Sequence, residues 1–163
     1  MLKVAPTDNG CCVRVEGQGT MQESPAAHDV AARTFSGAPG ANVVFDLSAC
    51  NFLDSTFLGC LMTLYREFGG NAEDCHSRYF IAASSEQRQK LFGPTHLDRL
   101  ISTLESPPVP SGPWHDVPEE ELDKKDRMRH VMECHRALAE VKGPMSGAFL
   151  KIAQQIESEL TKS

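Results

Sequence analysis

At 163 residues the chain is long enough for one packed core with an appendage and short for two full domains. An apolar fraction of 40% and a charged fraction of 23% exclude wholesale disorder and fibrous repeats. The formal net charge of -6, with Lys and Arg everywhere interleaved with acids, excludes the electrostatics of a nucleic-acid binder.

Met1 to Cys12 has no cationic segment followed by a long apolar run, and no window approaches the roughly 18 apolar residues of a membrane span. A cytoplasmic protein with no membrane partner is expected. Cys11 to Glu16 alternates apolar and polar residues and reads as a strand leaving into a turn at Gly17 and Gly19, with Leu2 to Val4 as its candidate partner. Ser24 is a candidate N-cap and Pro25 a first-turn residue for a helix carrying Ala27, Val30, Ala31 and Phe35 as far as Gly37.

Asn42 to Leu47 is a short run of β-branched and aromatic residues, suited to a central strand covered on both faces. After a loop through Cys50, Asp54-Ser55-Thr56 supplies capping chemistry. Phe57, Leu58, Leu61, Leu64, Tyr65 and Phe68 then mark one face of a second helix that ends at Gly69-Gly70. Arg78 to Ala83 repeats the buried-strand pattern, Ser84-Ser85-Glu86 opens a third helix that stops near Gly93-Pro94, and Thr103-Leu104 is a candidate last strand. Strand and helix alternate over residues 1–105, which predicts an α/β domain with helices packed on a mixed sheet of four to five strands.

Five of the ten prolines fall between Ser106 and Pro118, which predicts an extended, unpacked linker over 106–118. Beyond it, Leu122, Val131, Leu138 and Val141 form one helical stripe, and Phe149, Ile152, Ile156 and Leu160 a second after Gly143-Pro144. Residues 119–163 therefore read as a helical hairpin extension. The run Glu119-Glu120-Glu121 suits the start of its first helix, with Lys124, Lys125 and Arg127 at pairing distance. The apolar stripes need burial against the domain, a second copy in a homodimer, or a partner.

The six cysteines (Cys11, Cys12, Cys50, Cys60, Cys75, Cys134) have no C-x-x-C spacing, and most lie in apolar runs as small hydrophobes. No cofactor or metal is expected. His28, His76, His96, His115, His130 and His135 are scattered; His130 and Cys134 lie one helical turn apart, but solvated helix positions are the expected reading. No nucleophile elbow, P-loop or dinucleotide glycine pattern occurs, so an enzyme is not expected.

The stretch that carries function is Val43-Val44-Phe45-Asp46-Leu47, then Phe52-Leu53-Asp54-Ser55-Thr56-Phe57-Leu58-Gly59, then Leu61 and Leu64. It resembles the STAS family, the sulfate-transporter and anti-sigma-antagonist domain, in which a strand ending in Asp-Leu precedes an Asp-Ser-Ser/Thr-Gly-Leu-Gly motif opening a helix. The resemblance covers about residues 2–105. It implies a small α/β fold and a signalling module that binds an anti-sigma factor, serine-kinase-type protein or other signalling protein. By the same resemblance Ser55 is the phosphorylated hydroxyl, with Thr56 as the alternative, and Asp54, Ser55, Thr56, Phe57 and Gly59 form the partner-binding set. Phe57 stands where the family usually has its first glycine.

Chemistry supports a switch at this place independently. A helix N-terminus receives a phosphate well, yet phosphorylation adds a charge of about -1.5 to -2 beside Asp54 on a surface that must fit a partner. Two other readings follow from the residues. One is a constitutive scaffold or oligomerisation module acting through the C-terminal helices; the other is a STAS domain that binds a small ligand or nucleotide.

Overall fold

The computed structural model describes residues 1–69, 78–141 and 143–162. Cys75, His76 and the second glycine of the Gly69-Gly70 stop lie outside the described residues. Strands β1 (Leu2–Thr7) and β2 (Gly10–Val15) form an antiparallel hairpin, and β4 (Asn42–Asp46), β6 (Tyr79–Ala82) and β7 (Ser102–Leu104) extend it in parallel. Helices α1 (Ser24–Gly37), α2 (Ser55–Phe68) and α3 (Ser85–Phe92) lie between these strands in sequence, so the expected α/β alternation is present.

The mixed sheet has six strands in the order β7-β6-β4-β2-β1-β8. That is one more than the upper expectation, and the extra one, β8 (His115–Val117), comes from the proline-rich segment. It pairs antiparallel with β1, Leu2 opposite Val117 and Val4 opposite His115. The expected unpacked linker is thus partly sheet. A bare edge on β1 would leave a row of backbone groups open to association, and β8 covers it. Ser111 N–H also donates to the Pro6 carbonyl at 2.8 Å, and the Arg14 guanidinium lies 4.0 Å from the centre of the Trp114 ring.

Two further short strands, β3 (Gly17–Gly19) and β5 (Cys50–Leu53), pair in parallel as a separate ribbon. The sequence reads these as a turn and a loop, because three or four residues carry too few repeats to show a period of two. Their pairing places Gly19 against Leu53, immediately before the start of α2.

Alternation along the strands divides the interior. Val13, Val15, Val43, Phe45, Tyr79 and Ile81 face the main core with Ala27, Ala31 and Phe35 of α1 and Phe57, Leu61 and Leu64 of α2. Cys12, Val44 and Ala82 face the other way, under Phe80, Leu104 and Trp114. Asp46 at the end of the central strand is 0% exposed; its Oδ2 accepts from Arg14 Nε at 2.9 Å, and its Oδ1 accepts from Ser48.

The predicted helical hairpin is α4 (Lys124–Ala139) and α5 (Ser146–Lys162). Asp123 caps α4 by accepting from Asp126 N–H, so Leu122 and the Glu119-Glu120-Glu121 run precede the helix instead of opening it. Helix α4 packs on α2, and Cys134, Ala137, Leu138 and Phe149 join the main core. Reading His130, Cys134 and His135 as solvated positions is therefore corrected. Cys134 and His135 are 2% and 4% exposed, and His130 is half-buried, because this face of α4 is the one that meets the domain.

Candidate functional site

The start of α2 is fixed from three directions. Asp54 has an extended backbone, the N-cap conformation, and its Oδ1 accepts from Phe57 N–H at 2.8 Å. Its Oδ2 accepts from Met21 N–H at 2.8 Å, and its own N–H donates to the Gly19 carbonyl at 2.9 Å. The cap chemistry read from Asp54-Ser55-Thr56 is present, and it also binds the loop after β3 to the helix. Met21 and Phe52 stand on this shoulder with 38% and 50% of their surface exposed.

Ser55 is the first residue of α2 and is half-buried. Its Oγ lies 3.0 Å from His135 Nε2 of α4, 80 positions along the chain. His135 Nδ1 sits 2.8 Å from the Val131 carbonyl, which can only accept, so Nδ1 carries a proton. In the neutral ring Nε2 then accepts, and the Ser55 hydroxyl donates to it. A hydroxyl and an imidazole at this distance have the geometry of a nucleophile and its base. Here both lie where α2 meets α4, with the His135 ring 4% exposed and 6.0 Å from the Phe149 ring. The bond is an interhelical tie.

The other expected site residues separate by helical angle. Phe57 is 0% exposed and edges against Phe45 at 6.4 Å, so it faces the core and not a partner. This corrects its place in the partner-binding set: a helix turns about 100° per residue, so two steps from Ser55 point inward. Thr56, 4% exposed, is likewise removed from the surface as an alternative phosphorylation position. Gly59 lies one turn beyond Ser55, on the α4 side. A Cβ there would overlap the Cys134 carbonyl and stand 2.7 Å from the Cys134 Cβ, so glycine is what lets the two backbones meet.

A second tie repeats the first. Ser24 Oγ and His130 Nε2 share a 2.7 Å hydrogen bond, and Ser24 is 0% exposed. The sequence reads Ser24 as the cap of α1, but the cap position is Glu23, whose carboxylate accepts from Thr20 instead, and the Ser24 hydroxyl is used across to α4. Burial, assisted by the charges of His28 and Arg127, pulls the His130 imidazole down to about 4. Burial likewise pushes the Cys60 and Cys134 thiols far above the ordinary thiol range. Among the described residues no group of three or more His, Cys, Asp or Glu side chains is arranged to hold a metal.

Sequence reasoning missed both serine–histidine ties. Each joins residues 80 or more positions apart, and the only local signal was the helical spacing of His130, Cys134 and Leu138.

None of the described helices is long and apolar enough to cross a membrane. No protein-family model matches the sequence, and no curated protein does. Among solved structures, SpoIIAA, an anti-sigma factor antagonist in its unphosphorylated form, aligns at 15% identity and a TM-score of 0.47, over 66% of this chain and 90% of its own. An anti-sigma factor antagonist from Mycobacterium paratuberculosis aligns at 24% identity and a TM-score of 0.53, over 65% of this chain and 86% of its own. With that structure this chain shares its mixed α/β architecture, and its fold is STAS-like.

Proposed function

We propose that the protein is a non-catalytic signalling module of the anti-sigma factor antagonist kind, which binds another protein at the shoulder where β5 hands over to α2. The observation that carries this reading is the composition of the shoulder. Two exposed apolar side chains, Met21 and Phe52, flank a capped helix start whose first residue is the hydroxyl Ser55, on a STAS-like fold. Exposed large apolar residues beside oriented polar groups are the usual material of a protein-binding surface. The partner is an anti-sigma factor or serine-kinase-type protein, and phosphorylation of Ser55 weakens its capture by placing negative charge next to Asp54.

The test is capture from an extract of the source organism by the full chain, its Phe52→Ala variant and its Ser55→Asp variant, with mass spectrometry of the Ser55 peptide. Phe52→Ala removes exposed surface and leaves the core intact. The parent should hold a partner that both variants lose at least tenfold. Equal capture by all three ends this reading.

One observation favours the scaffold reading as the alternative. Helix α5 leaves Leu150 and Ile152 at 44% and 40% exposure. Capture that survives Phe52→Ala and is lost with Leu150→Lys would transfer the binding surface to α5.

A further inference from the structure

The protein carries its own occupant of the Ser55 face. Helix α4 lies on α2 with its backbone against Gly59 and its His135 ring over Ser55, so the hydroxyl that the proposed function would modify is already engaged. We infer that the α4–α5 hairpin is an internal cover, and that a phosphate on Ser55 and the docked hairpin exclude each other. The inference rests on the reading of Ser55 as the modified hydroxyl.

On the side to which the Ser55 hydroxyl now points, His135 leaves no room for a phosphate. Phosphoryl transfer from a nucleoside triphosphate replaces the Ser55 Oγ–H bond with an Oγ–P bond, yields the diphosphate and gives the hydroxyl proton to a base of the kinase. The product has three more oxygens where Oγ now meets His135 Nε2 at 3.0 Å. The ring is held from behind by its Nδ1–H bond to Val131 and packed edgewise on Phe149, so it does not swing clear. One turn along, Gly59 and the Cys134 carbonyl are already in contact, which keeps α4 from rising at one end only. The Asp54 carboxylate beside Ser55 is committed to Phe57 and Met21, and adds like charge. The inferred relief is the departure of α4, and until it leaves, a kinase meets a hydroxyl that is half-covered and already donating.

Cys134 reports the cover directly, since it is 2% exposed in the packed state. The Cys11-Cys12 pair in β2, 7% and 0% exposed, reports loss of the whole fold. We would prepare the full chain with phosphoserine incorporated at position 55 during synthesis, alongside the parent, Gly59→Ala and His135→Ala. Each is treated with a thiol reagent under native conditions, and labelling is read peptide by peptide. Gly59→Ala is the wedge: alanine favours α2 itself, and the three atoms nearest its methyl all belong to Cys134 of α4.

The expected result is that phosphoserine at 55 and Gly59→Ala each speed labelling of Cys134 by tenfold or more while the Cys11-Cys12 peptide stays slow, with His135→Ala intermediate. Labelling of Cys134 in the phosphorylated chain at the parent's rate, or slower because the phosphate binds a protonated His135, overturns the inference. Equal acceleration of both peptides overturns it too, as general unfolding. None of these readings needs a kinase or a partner, so failure to capture a protein at Phe52 would be a separate result.

Discussion

At the scale of single residues, the start of α2 depends on one carboxylate. Asp54 accepts from Phe57 at the helix and from Met21 in the loop after β3, each at 2.8 Å. Losing a capping side chain costs about 1 kcal/mol, and the second bond raises the expected loss for Asp54→Ala to about 2 kcal/mol. Asp54→Asn keeps one acceptor oxygen and should lose about half as much, which the urea midpoint at constant slope would show. The cap was legible in the sequence, because capping is local and Asp-Ser-Thr before an apolar stripe is its signature. The tie from Ser55 to His135 was not, since nothing near either residue names the other. Phe57 shows the same limit from the other side: the motif resemblance assigned it to a partner surface, whereas the helical period assigns it to the core, and the period decides.

At the scale of elements, α4 is the piece whose role changes most between sequence and structure. Its apolar stripe is readable from Val131 and Leu138, but what it covers is not, since a stripe shows that burial is needed without showing where. Its attachment is sensitive to acid. His130 meets Ser24 of α1 and Cys134 on its own helix and feels the charges of His28 and Arg127, while His28 in turn pairs with Glu67 of α2 at 3.6 Å. Packing holds its pKa at about 4, against an ordinary value of 6.5. A depressed histidine favours the neutral, docked form. This contribution is complete above pH about 6.5 and falls away as the pH drops toward 4, where the released helix takes up a proton that the docked one refuses. Amide exchange in α4, corrected for its intrinsic pH dependence, should therefore speed up relative to β4 as the pH drops through this window. His130→Asn, which does not titrate, should remove that part of the response. An unchanged pH profile in the variant would place the effect on other groups.

At the scale of the whole molecule, the alternation of β2, α1, β4, α2, β6 and α3 was legible because each element is long or apolar enough to show its period. The short pieces were not, and they complete the sheet. β8 has three residues in a stretch whose prolines argue for extended chain, and its pairing partner β1 is more than a hundred positions away. In the structure the segment is tied to the sheet at Ser111, Trp114 and β8. Arg14 links its Trp114 to the buried Asp46, so one charge pair joins three segments: the proline-rich strap over 106–118, strand β2 and the end of the central strand β4. Trp114 is the single tryptophan of the chain, and its emission reports the strap alone. If strap and sheet form one cooperative unit, urea unfolding followed by Trp114 emission and by far-UV circular dichroism should give the same midpoint. Arg14→Met strands the Asp46 carboxylate without its cation, at a cost of about 3–5 kcal/mol, and removes the platform under the indole. Its emission should then change at lower urea than the circular dichroism. Separate midpoints in the parent protein would instead show that residues 106–114 move independently of the sheet, as the proline content alone had suggested.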